Sequence, residues 1–156
     1  MTALDKVEHF LQSEGLKSGR QDSELQFYVS AKIVGCKIRV FEHAGFLKCL
    51  GMIPILVPDY RRNEMAAALC RANWSLHGGA FEMDFSDGEC RFRDSLPLLD
   101  GDITNEQLRY LIIGSWSTIS RYAMALIEVA VGHTTAELAI ERAEASWLEE
   151  QRSPSE

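Results

Sequence analysis

The stretch Gly79–Arg93, GAFEMDFSDGECRFR, holds Glu82, Asp84, Asp87 and Glu89 close together, with Cys90, Arg91 and Arg93 just behind. It could be a metal site, an acid–base pair or a piece of β-sheet. Asp87-Gly88 is a strong two-residue hairpin turn. That turn predicts the pairs Ser86 with Glu89, Phe85 with Cys90, Asp84 with Arg91, Met83 with Phe92, and Glu82 with Arg93. Phe81, Met83, Phe85, Cys90 and Phe92 then share a buried face, and the carboxylates of Glu82 and Asp84 meet arginines on the wet one. Opposite charges directly across a ladder stabilise it by roughly 0.2–1 kcal/mol each. A calcium loop would need an oxygen ligand where Gly88 stands and a bidentate Glu further on. The stretch reads as architecture, and no catalytic or metal-binding role is assigned to it.

Working outward, the flanking segments follow two periods. Leu4, Val7, Phe10 and Leu11 recur at helical spacing, with Thr2 as cap and Gly15 as stop. Three strand-like runs follow: Leu25–Ile33, Cys36–His43 and Phe46–Ile55, the last halted by Pro54 and Pro58. With turns at Val34-Gly35 and Ala44-Gly45, they form an antiparallel meander. Met65, Ala66, Leu69, Ala72 and Leu76 then mark a helix that Gly78-Gly79 terminate. After the hairpin, Thr104 and Gln107 form a capping box for the longest helix. Its stripe runs Leu108, Leu111, Ile112, Ser115, Trp116, Ile119, Tyr122, Ala123, Leu126, Ile127, Ala130, and Gly132 ends it. A last acidic helix starts at Thr134 or Thr135, with Leu138, Trp147 and Leu148 as its apolar residues. The end, Gln151–Glu156, is expected to be disordered. The order α-β-β-β-α-β-β-α plus a C-terminal helix makes the fold class α+β with an antiparallel sheet. One domain over 1–133 and a helical extension over 134–156 are expected.

Composition narrows the function. The 156 residues carry a net charge of −7. Six Glu and two Arg after His133 give that tail −4, leaving −3 for the rest. An acidic chain gains little from counterion release, which argues against nucleic acid, and anionic membranes would repel it. Asp5, Lys6 and Glu8 interrupt the first helix, so it is no signal peptide, and no apolar run reaches the ~20 residues of a membrane span. A cytoplasmic location is expected. His9, His43, His77 and His133 show no metal-ligand spacing, and Cys36, Cys49, Cys70 and Cys90 form no C-x-x-C pair. No cofactor is expected. A nucleophile built from Cys49 or Cys90 with His43 is the enzyme alternative, set against thiols that burial would make inert. Trp74, Trp116 and Trp147 are expected in the core.

One feature of the meander stands apart. Phe27, Val29, Ala31, Ile38, Val40, Leu47 and Cys49 fall on one face. The other mixes Tyr28, Phe41, Phe46, Leu50 and Met52 with Lys32, Lys37, Arg39 and Lys48. Aromatic and basic side chains interleaved on a sheet can stack bases or dock an acidic, partly apolar peptide. The plain alternative is a helix over the apolar part with the bases at its rim. The chain's acidity favours the peptide, so Tyr28, Lys32, Lys37, Arg39, Phe41, Phe46 and Lys48 are the candidate partner-binding face.

The segments LCRANWSLHGGAFEMDFSDGECRFRDSLPL (Leu69–Leu98) and ITNEQLRYLIIGSWSTISRYAMALIEVAVG (Ile103–Gly132) resemble the YbjN family of small bacterial proteins. The shared elements are a helix ending in Asn, a G-x-F strand, a D-G turn, an R-F-R strand, and a long helix ending in V-x-x-V-G-like residues. The resemblance covers about Met1–Gly132. It implies a fold similar to type III secretion chaperones of the Tir-chaperone kind, which are dimeric and bind extended segments of partner proteins. It also implies a sensory transduction regulator with no catalytic residues. A non-enzymatic, homodimeric protein-binding module, chaperone-like or a regulatory adaptor, is the resulting expectation. The enzyme and an RNA-binding sheet remain as alternatives.

Overall fold

The computed structural model describes residues 1–99 and 102–153. Helix α1 (Ala3–Ser13) opens on a capping box between Thr2 and Asp5 and buries Leu4, Val7, Phe10 and Leu11. Six strands follow in one antiparallel sheet: β1 (Gly19–Gln21), β2 (Glu24–Ala31), β3 (Val34–His43), β4 (Phe46–Leu56), β5 (Ala80–Met83) and β6 (Glu89–Pro97). Their spatial order is β1-β2-β3-β4-β6-β5. Helix α2 (Arg62–Trp74) joins β4 to β5 after a 3-10 turn at Asp59–Arg61. The long helix runs as α3 (Asn105–Leu108), a π turn (Arg109–Ile113) and α4 (Gly114–Ala130), and α5 (Ala136–Arg152) closes the chain.

The helices pack on one face of the sheet, against Leu25, Phe27, Val29, Cys36, Ile38, Val40, Leu47 and Cys49 from the meander and Cys90 and Phe92 from β6. This is the buried face expected from alternation. Helix α5 lies on α2 and α4, with Ala136, Ala139 and Ile140 in the common core. Residues 154–156, where much of the expected terminal disorder falls, lie outside the described residues; Gln151 and Arg152 are the last turn of α5.

Several local expectations need correction. Ala31 pairs with Val34, so the first meander turn is Lys32-Ile33, with Lys32 at φ 61°, and Gly35 lies inside β3. Strand β4 continues through Pro54 to Leu56, because a bulge between Met52 and Leu56 spares the missing N–H, and pairing with β3 ends at Met52. Strand β1 was not foreseen; it is three exposed residues. Helix α2 ends at Trp74, short of Gly78, and Trp74 is 92% exposed. In α5 the buried stripe is Ala136, Ala139 and Ile140, while Leu138 and Leu148 face outward.

The opening hairpin keeps its faces but shifts its register. Met83 pairs with Cys90, Glu82 with Arg91, Phe81 with Phe92 and Ala80 with Arg93. The slip is two residues, which preserves every side chain's face because the strand period is two. It widens the loop, so Phe85 leaves the core and is 53% exposed. Asp84 and Asp87 turn inward on the loop: Ser86 N donates to Asp84 Oδ1 (2.7 Å) and Glu89 N to Asp87 Oδ1 (2.8 Å). Gly88, at φ 84°, sets the register, since Val57 N donates to its carbonyl and a Cβ there would lie 2.2 Å from Val57 O.

Candidate functional site: the helix-free face of the sheet

Because every helix packs on one side, strand alternation leaves the other side bare. Tyr28 projects from β2, Lys37, Arg39 and Phe41 from β3, and Phe46, Lys48, Leu50 and Met52 from β4. Register then adds side chains that the meander alone could not supply. Leu50 lies beside Arg93 and Met52 beside Arg91 on β6, with Glu82 of β5 beyond. Strand order β4-β6 is what brings these arginines in, and the sequence carries no local mark of which strands become neighbours. Of the expected residues only Lys32 sits elsewhere: its turn conformation aims the ammonium at Glu150 of α5, 3.7 Å away.

The face is apolar at its centre and cationic around it. Leu50 is only 5% exposed, whereas Tyr28 is 71% and Phe46 41% exposed. The stems of Arg39 and Arg93, on the rungs either side, suit the shielding of Leu50. The guanidinium of Arg39 stands 5.7 Å from the centre of the Phe41 ring. Lys37, Arg39, Lys48, Arg91 and Arg93 face Glu24, Glu82 and Glu89, with Asp84 beside Arg91 at the hairpin end, an excess of one positive charge on a chain whose total is −7.

The arginines are held in place. Arg39 Nη2 and Nε donate to Glu24 at 2.6 and 3.0 Å, and those bonds hold the Glu24 carboxyl below its ordinary pKa. Glu82 accepts from Arg91 Nε (2.7 Å) and Arg93 Nε (3.1 Å). Its burial pushes the carboxyl up, and the two guanidinium groups outweigh that, so the pKa ends lowered. Lys37 and Lys48 form no ion pair among the described residues. Two lysines thus stand free between fixed Arg–Glu pairs.

The nucleophile alternative meets a geometric obstacle. Cys49 and Cys90 are buried on the helix side of the sheet, while His43 is exposed at the end of β3 in line with Lys37, Arg39 and Phe41 on the bare side. Burial pushes both thiols up to about 12. Among the described residues, no group of three or more His, Cys, Asp or Glu side chains is placed to hold a metal ion, and no helix is long and apolar enough to cross a membrane.

Comparison with known proteins places this architecture. No curated protein matches the chain. A crystal structure of YbjN from E. coli, titled "a putative transcription regulator", superposes with a TM-score of 0.63 at 18% identity, covering 86% of this chain and 96% of that one. At that identity the likeness shows the shared fold. Residues 3–128 match the model of the YbjN family, described as "Putative bacterial sensory transduction regulator". The chain belongs to the YbjN family.

Proposed function

We propose that the protein is a non-enzymatic regulatory adaptor of a bacterial cytoplasm that holds an acidic, partly apolar segment of a partner protein on the helix-free sheet face. One observation carries this reading: a sheet face bare of helices, apolar at Tyr28, Phe41, Phe46 and Met52, with an excess of cations on an otherwise acidic chain. A glutamate-rich segment would meet Lys37 and Lys48 with its charges and the exposed Tyr28 and Phe46 with its apolar side chains. The family's regulator description supports the regulatory part of this reading. We also infer a homodimer built on another surface, because two copies of this face would set cations against cations. Trp74 and Phe85, both exposed, suit that contact.

The test is fluorescence anisotropy of a labelled peptide of alternating Glu and Leu. Saturable binding is expected, weakened about tenfold by the double substitution Lys37→Glu, Lys48→Glu. A Lys-Leu peptide should not bind. Tighter binding of a single-stranded RNA at the same face would overturn the peptide reading. Sedimentation of the purified chain as a monomer would overturn the dimer.

A further inference from the structure

A crevice of about 190 Å³ lies on the helix side of the sheet, away from the basic face, between the loop after α2, strand β6 and helix α4. Strand β5 begins at Ala80, opposite Arg93, so the next residue of β6, Asp94, has no β5 neighbour. Asp94 follows Cys90 and Phe92 on the side of the sheet that faces the helices. Across from it, Tyr110, Gly114, Thr118 and Arg121 form one stripe of the long helix. The π turn carries Tyr110, whose hydroxyl reaches the loop so closely that a Cβ on Gly78 would lie 2.3 Å from it. Single π turns inside helices occur often at functional sites.

Two features of the crevice have no packing explanation. Gly114 sits in mid-helix, where glycine is about 1 kcal/mol worse than alanine, yet no atom lies within 4 Å of where its Cβ would be. Its effect is to leave the crevice open. Arg121 Nε is the buried side-chain polar atom that has no hydrogen-bond partner among the described residues. The Arg121 guanidinium is fixed between the rings of Tyr122 (4.9 Å) and Trp147 (5.8 Å). Asp94 accepts one bond, from Ser95 N at 2.7 Å, and forms no ion pair among the described residues. Asp94 and Arg121 therefore line one small space without pairing with each other, the Arg121 guanidinium lying instead beside Glu144.

We propose that this crevice binds a small zwitterion of free amino-acid size, with Arg121 taking its carboxylate and Asp94 its ammonium group. The volume of about 190 Å³ suits a molecule of that size. Burial raises the Asp94 pKa, the condition a bound ammonium would relieve. Ser75 at the rim donates to Glu144 of α5 (3.0 Å), and Arg121 Nη2 is 3.9 Å from the same carboxylate. Occupancy would thus be felt by the anchor of α5, giving a regulator a small-molecule input separate from its partner-binding face.

The experiment is a thermal-melt and calorimetric titration of the full chain with the standard L-amino acids, with succinate and putrescine as ligands carrying only one of the two charges. At least one amino acid should raise Tm by roughly 5–10 °C at a hundredfold excess over Kd. Succinate and putrescine should not. Gly114→Leu adds helix propensity and fills the space, so it should fold and lose the shift. Asp94→Asn keeps the shape and should weaken binding about tenfold. No shift with any amino acid, a shift that survives Gly114→Leu, or one that is undiminished in Asp94→Asn, overturns the proposal.

Discussion

Asn73 does for β5 what a neighbouring strand would do. Its side-chain amide donates to Phe81 O (3.0 Å) and accepts from Phe81 N (2.8 Å), closing the outer edge of the sheet where another chain could otherwise pair. Asn73→Ala leaves both backbone groups without partners, so urea unfolding should show a loss of about 1–3 kcal/mol. Gly51 is a different kind of residue requirement: a Cβ there would lie 2.1 Å from Ile119 Cδ1 and 3.1 Å from Ile38 Cδ1. Gly51→Ala should cost about 1–3 kcal/mol, and Ile119→Val, which removes the clashing methyl, should make the double variant less destabilised than the sum of its parts. The thiols separate by burial. Cys49 and Cys90 are pushed up to about 12 and Cys36 is raised as well, while Cys70 is exposed. Disulfide-exchange titration at mildly alkaline pH should find one fast thiol in the native protein and all four after unfolding.

The hairpin shows what an element's sequence can and cannot specify. Alternation placed Phe81, Met83, Cys90 and Phe92 on one face and Glu82, Arg91 and Arg93 on the other, and the structure keeps that division. The register itself depends on Val57, a residue from before α2 that hydrogen-bonds Gly88, and no local reading of the hairpin contains it. Gly88→Ala should therefore destabilise the whole hairpin, by at least the ~1 kcal/mol of forcing a side chain into the left-handed region, as checked by chemical denaturation. Capping signals were legible because they are local: Thr2 with Asp5, Thr104 with Gln107 and Thr135 with Leu138 N all cap as the residue types suggest. The π turn was not, since one extra residue per turn leaves no mark in composition. In α5 the large residues Leu138 and Leu148 suggest the buried stripe, but the close packing of α5 on α2 and α4 selects Ala136 and Ala139. Trp74 misled for the same reason, its helix ending early so that Asn73 can reach β5.

Across the whole molecule, charge ties stability to pH. Asp5, held by Arg20 and Thr2, and Glu24, held by Arg39, have lowered pKa values; in Glu82 burial opposes the pairing with Arg91 and Arg93, and the pKa is still lowered. A lowered folded-state pKa contributes stability above the ordinary values, 3.8 for Asp and 4.5 for Glu, that is lost as pH falls through the folded value. Asp94, raised by burial, has the opposite sign and is relieved as it protonates. With Asp84, lowered by its bonds from Ser86, four lowered carboxyls outnumber it, so the urea midpoint should hold level to about pH 5 and fall below that. Asp94→Asn should raise Tm at neutral pH. The bare sheet face was legible in part: alternation found Tyr28, Lys37, Arg39, Phe41, Phe46 and Lys48, but Arg91 and Arg93 join only through the β4-β6 pairing. That face carries the account, and the most direct measurement is an amide chemical-shift map of the labelled chain titrated with the Glu-Leu peptide. The account predicts shifts along β3, β4 and β6 around Arg39, Leu50 and Arg93. Shifts gathered instead around Trp74 and Phe85, or none at saturating peptide, would contradict it.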